Sequence, residues 1–223
     1  MTNKNLLEIE LTAGLAPQAA DVAVCVFEDG ANVHDNELRE LLEGLRRDGE
    51  FKAEAGTSLL LHTAGTSSAR RLLVVGLGAR ADFDAGAMSR AAASAVRRAR
   101  AARFNRLSLV LPAADDARRT VRAAAEGAVL GLYENSFYQK REEVLKLEHL
   151  TLVADGLAEP DLREEVWRGR IIAEAVNWAR ALADEPGGSL PPKEFARRAE
   201  EMALEFNLRV ESLGADEIRA RGM

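Results

Sequence analysis

The stretch that most limits how this chain can fold is residues 167–194, WRGRIIAEAVNWARALADEPGGSLPPKE, a long helical pattern that stops in a loop and restarts. The helical pattern begins near Asp161. Leu162, Val166, Ile172, Val176, Ala179 and Ala183 step by three and four along one stripe, while Trp167, Ile171, Trp178 and Leu182 do so along another. Two apolar stripes predict a helix covered on two sides, lying between two bodies. The stop is chemical: Gly187 and Gly188 offer unrestricted φ after Pro186, and Pro191 and Pro192 fix φ and remove amide donors. Ser189 lies too far from the next helix to cap it. Pro192 suits its first turn, with Glu194 favourable beside its N-terminus.

Ahead of that helix, strands and helices alternate. Residues 6–11 and 21–27 read as strands, and residues 35–47 as an amphipathic helix with Asp35 as cap and Leu38, Leu41, Leu42 and Leu45 on one side. Residues 58–63 and 71–77 read as an antiparallel pair turned at 65–68 and forming the centre of the sheet. An alanine-rich helix over 85–104, a strand over 107–111, a helix over 115–132, a mixed charged excursion over 134–147 and a strand over 149–154 follow. The alternation predicts an α/β three-layer sandwich with a mixed central sheet. A boundary at 155–160 then separates it from the long helix. After the loop, a helix over 194–206 and a strand over 208–213 read as the first elements of a second α/β domain.

With 47% hydrophobic and 30% charged residues, the 223-residue chain has an ordinary globular composition. A formal charge of −6 argues against a general nucleic-acid or anionic-membrane surface, which needs a basic excess. Cys25 sits in the apolar run 22–27 and reads as a small buried hydrophobe; a single cysteine suits a reducing compartment. Neither a signal-peptide pattern nor an 18-residue apolar run is present, so a cytoplasmic location is expected.

Few residues read as chemistry. Gly76-Leu77-Gly78-Ala79-Arg80-Ala81 follows a strand and precedes a helix, matching a relaxed dinucleotide fingerprint, but Asp82 and Asp84 would repel a pyrophosphate. A strand-end turn is the plainer reading. His34, His62 and His149 lack metal-ligand spacing. The adjacent acids Glu142 with Glu143, and Glu164 with Glu165, point apart on a helix and read as solvated faces. Arg97, Arg98, Arg100 and Arg103 have only Phe104 as an aromatic neighbour, so a solvated face or subunit contact is favoured over nucleic acid.

Asn177, Ala179, Arg180, Leu182, Pro186, Leu190 and Pro192 resemble the stretch that opens the catalytic half of the leucyl aminopeptidases, the two-metal M17 peptidases; Asp184 and Gly188 stand where that family usually has asparagines. Val75-Gly-Leu-Gly78, the run Glu126-Gly-Ala-Val-Leu-Gly-Leu-Tyr133, the cluster Phe137, Tyr138 and Lys140, and Gly222-Met223 resemble it too. The resemblance implies a macro-like N-terminal domain over 1–157, a linking helix over 158–185 and a truncated start of the catalytic domain over 186–223. It further implies a parent enzyme that removes N-terminal residues from peptides using two divalent metals, zinc or manganese, and assembles as a homo-hexamer. The family's metal and catalytic motifs lie C-terminal to this stretch, so no catalytic, metal-binding or cofactor-binding residue is assigned. The chain by itself is expected to be inactive and to self-associate through Trp167, Ile171 and Trp178. The rival expectation is a non-enzymatic macro-like module holding a nucleotide or ADP-ribose at the glycine loop, and a weaker one is DNA contact through the arginine helix.

Overall fold

A computed structural model describes residues 7–16, 19–30, 36–63, 69–134, 146–154 and 161–223. The expected cap Asp35, the turn at 65–68, most of the excursion at 134–147 with Phe137, Tyr138 and Lys140, the boundary at 155–160, and His34 lie outside the described residues.

Six strands form one sheet: β1 (Glu8–Thr12), β2 (Asp21–Val26), β3 (Ser58–His62), β4 (Arg71–Gly76), β5 (Arg106–Val110) and β6 (His149–Val153). Their order is β1-β6-β5-β2-β4-β3, with every pairing parallel except the antiparallel β3–β4 pair. The sheet is mixed, as the sequence suggests, but β3 and β4 are not its centre. Strand β3 is an edge whose residues are at most half-buried, whereas β2, in the middle, is buried at every position from Val22 to Val26. A strand buried on both faces reads as a continuous apolar run. VAVCV fits that description better than SLLLH, which ends on an exposed histidine.

Alternation along β2 feeds two cores. Val22, Val24 and Val26 join Leu72, Val74, Val110 and Val153 under Leu38, Leu42 and Leu45 of α1 (Asn36–Arg47). Ala23 and Cys25 join Leu73, Val75, Leu107, Leu109, Leu150 and Leu152 on the opposite face, where Met88, Ala92 and Val96 of α2 (Ala85–Ala101) and Val121, Ala124 and Ala128 of α3 (Ala117–Gly131) cover them. The result is an α/β three-layer sandwich. Each fully buried leucine or valine contributes about 1.5–3 kcal/mol relative to exposure.

The alanines of α2 and the glycines of α3 let these two helices touch backbone to backbone. A Cβ on Gly127 would lie 2.1 Å from the Ser89 carbonyl oxygen, and one on Gly131 would lie 2.7 Å from Ala93 Cα. Both helices start on an aspartate cap: Asp84 accepts from the Ala87 amide at 2.7 Å and Asp116 from the Arg119 amide at 2.9 Å.

Helix α4 (Asp161–Ala183), α5 (Pro192–Glu205) and α6 (Ala215–Ala220) complete the chain. It forms two compact units, Met1–Asn177 and Trp178–Met223. The two-stripe expectation for α4 needs correction. Leu162, Val166 and Leu182 are buried, but Ile172 and Val176 are exposed, as are Trp167, Ile171 and Trp178. The buried line in the first unit runs instead through Leu162, Glu165, Val166, Gly169 and Ala173. Residues 208–213 are not a strand either. They have no ladder partner among the described residues, because β-structure requires a neighbouring strand that the local pattern cannot supply.

Candidate functional site

The glycine loop after β4 is a structural tie. Its amides are spent on backbone carbonyls: Gly76 N–H donates to Thr57 at 3.0 Å, Leu77 to Val26 at 2.8 Å and Gly78 to Ala53 at 2.9 Å. A Cβ on Gly76 would fall 2.2 Å from the Glu54 carbonyl oxygen, and Gly78 has φ +79°. Glycine is therefore required by the chain's own 53–57 segment, which occupies the space a phosphate would need. Arg80 closes the tie, its guanidinium 4.1 Å from the Phe27 ring centre and 3.1 Å from Asp29, with Phe83 edge-on to Phe27. The amides of Gly76, Leu77 and Gly78 are thus not open to a nucleotide or ADP-ribose at this loop.

The motif residues are built into one helix end, one turn and one helix start. Asn177 is half-buried and donates from Nδ2 to the Val129 carbonyl of α3 at 3.1 Å. Ala179 and Arg180 are exposed and Leu182 is buried. The Pro186 carbonyl accepts from the amides of Ser189 at 2.8 Å and Leu190 at 3.1 Å, making the turn. The φ freedom that Gly187 and Gly188 offer is not used for a left-handed conformation: neither has a positive φ, and a Cβ on either would meet nothing within 4 Å. The prolines and the hydrogen bonds set the bend. Pro192 lies in the first turn of α5, as read from sequence; it is the helix's first residue, two before the expected start at Glu194, and no side chain caps that helix.

Charges that sequence reading missed hold this region. Glu185, whose side chain is largely buried, pairs with Arg198, and Glu194 bridges Arg197 and Arg198. The two guanidinium hydrogen bonds hold the Glu194 carboxyl down at about 2. An acid three and four residues ahead of two arginines is a visible signal for the second contact. Glu185 has no such signal, because its partner is thirteen residues away.

Elsewhere the candidate chemistry resolves into structure. Burial pushes the Cys25 thiol up to about 12, which removes it as a nucleophile at neutral pH. His62 is exposed, and His149 pairs with Glu8 at 2.8 Å. Of the arginine face, Arg100 is bound to the Leu132 carbonyl and Glu134, while Arg97 and Arg98 are exposed. Arg71, not singled out by the sequence, pairs with Asp21 and lies 3.8 Å over the Phe104 ring. Glu164 is solvated beside Arg168, but Glu165 is only 5% exposed, so the solvated-face reading fails for it. Among the described residues, no group of three His, Cys, Asp or Glu side chains could hold a metal ion. No described helix is long and apolar enough to cross a membrane.

The family model for the cytosol aminopeptidase family, N-terminal domain, matches residues 23–142, more than half of the chain. The chain belongs to the cytosol aminopeptidase family. Relatives named probable cytosol aminopeptidase include one from Solibacter usitatus, 38% identical over 181 residues, covering 81% of this chain and 37% of the relative. Another, from Geobacter sp., is 33% identical over 225 residues, covering 97% of this chain and 46% of the relative. Among solved structures, a tomato leucine aminopeptidase mutant shares the fold, with TM-score 0.83 at 18% identity over all of this chain and 47% of that one. The bottromycin maturation enzyme BotP matches with TM-score 0.68 at 31% identity over 90% of this chain and 41% of that one, and a further BotP structure is a complex with Mn. This chain thus spans less than half the length of the cytosol aminopeptidase relatives it matches.

Proposed function

We propose that this chain is the front part of a leucyl-type metalloaminopeptidase that removes N-terminal residues from peptides. Its N-terminal α/β domain is residues 1–157, its linking helix residues 158–185 and the opening of its peptidase domain residues 186–223. The observation that carries the reading is the reach of the similarity. It covers 97% of the chain in the Geobacter relative, well past residue 142 where the N-terminal family model stops.

The seven motif residues, Asn177, Ala179, Arg180, Leu182, Pro186, Leu190 and Pro192, are read as structural. Two divalent metals, zinc or manganese, would supply such an enzyme with an activated water and a clamp for the tetrahedral transition state. The Mn complex of BotP supports that choice of metals. The described residues do not fit such a pair, since no three ligand-type side chains converge. The chemistry is assigned, in this reading, to the part of the longer relatives that the chain does not cover. A cytoplasmic, homo-hexameric parent is part of the same proposal.

The test is an assay of the purified 223-residue chain on leucine amide with manganese or zinc supplied. No turnover above buffer is expected. Metal-dependent hydrolysis that a chelator abolishes would overturn the assignment of chemistry outside the chain.

A further inference from the structure

Helix α4 joins the two compact units, and in the first unit it touches α3 at three points of different chemistry. At Gly169 the backbones meet: a Cβ there would lie 2.4 Å from the Arg122 carbonyl oxygen and 3.1 Å from the Glu126 amide nitrogen. One turn before it, Glu165, 5% exposed, places Oε2 2.8 Å from Arg122 Nε. Neither of those atoms makes an aligned hydrogen bond, so the contact is one of charge. Arg168 adds a second guanidinium at 3.8 Å from Oε1. Eight residues beyond Gly169, Asn177 Nδ2 donates to the Val129 carbonyl at 3.1 Å.

These points are arranged as a pivot between two pins. At 1.5 Å of rise per residue the pins stand about 6 Å and about 12 Å from the glycine, on either side of it. Apolar packing at Leu162, Val166 and Ala173 is non-directional and tolerates rocking about a single close contact. A buried carboxylate tolerates it less, because movement away from Arg122 leaves the Glu165 charge with only Arg168 of its own helix, at 3.8 Å. An amide hydrogen bond is likewise directional.

We propose that Glu165 and Asn177 are positioning residues that hold α4 at one crossing angle on α3, with Gly169 as the pivot. Glu165 would then be retained for orientation, since a buried ion pair adds little net stability over a well-packed apolar pair. Asn177, the first residue of the aminopeptidase motif, acquires a specific task in the same device. The inference concerns geometry within the first unit and stands whether or not the parent is a peptidase.

The experiment places spin labels at Arg97→Cys on α2 and Ala175→Cys on α4, both exposed positions, and reads the distance distribution in the full chain. Cys25 is buried and stays unlabelled. The parent should give one narrow peak. Glu165→Met and Asn177→Leu, which keep apolar bulk, should each widen it, and the double variant should widen it at least twofold. A tilt of about 15° over the six residues from the pivot to the label moves the label by about 2 Å. Widths unchanged in both single variants would overturn the proposal. If the double variant does not fold, the single variants decide. If they too lose the folded state, the contacts hold the fold itself and the assignment to orientation is wrong.

Discussion

Glycine shows at single residues how identical letters do different work. Gly127 and Gly187 both sit in stretches resembling the aminopeptidase family, yet a methyl on Gly127 would strike the Ser89 backbone at 2.1 Å while one on Gly187 would meet open space. Gly127→Ala should therefore force α2 and α3 apart and cost about 1–3 kcal/mol or more. Gly187→Ala should be neutral or stabilise by up to about 1 kcal/mol through the unfolded state. Urea midpoints of the two variants check both, and equal effects would refute the close-packing account. The sequence shows that Gly127 and Gly131 lie four apart on a helix, but not that another backbone lies against them. The same holds for Glu165. Adjacent acids in a helical pattern read as solvated, and the position of Arg122 on a separate helix, with Arg168 nearby, makes burial of one of them tolerable.

Elements whose signals are local were legible. The alanine-rich α2, the leucine stripe of α1 and the proline in the first turn of α5 carry their reasons within a few residues, and each helix forms within a few residues of where the pattern puts it, whereas the Asp84 cap of α2 is read only from the structure. Elements that depend on a remote partner were not. Residues 208–213 have strand composition without a strand beside them, and the pair expected over 58–63 and 71–77 is antiparallel as read but lies at the sheet's edge and not at its centre, because position in a sheet is set by the whole topology. Helix α5 carries its own electrostatic test. Arg197 and Arg198 hold Glu194 at about 2 against an ordinary value near 4.5. A depressed folded-state pKa means that the stabilisation is fully present above the ordinary value and is lost as pH falls toward about 2. At pH 3 the Glu194 carboxyl carbon should still report an ionised group by NMR, when unpaired glutamates are protonated. In an Arg197→Ala, Arg198→Ala variant it should titrate with them. Protonation of Glu194 together with the other glutamates in the parent chain would contradict this origin of the shift.

At the scale of the molecule, the chain presents a well-covered sheet with its catalytic expectation lying elsewhere. The sandwich, the tie at the glycine loop and the motif turn are all explained as scaffold by their hydrogen bonds and packing, and the family match accounts for why they occur together. The first unit leaves Trp167, Ile171, Ile172 and Val176 of α4 exposed. The most direct measurement is the intact mass of the natural gene product from its source cells. The account predicts a protein about twice this chain's 24.2 kDa or larger, in keeping with relatives of which this chain covers 37–46%. A natural product of 24.2 kDa would contradict it, because the molecule would then lack the part to which the peptidase chemistry is assigned.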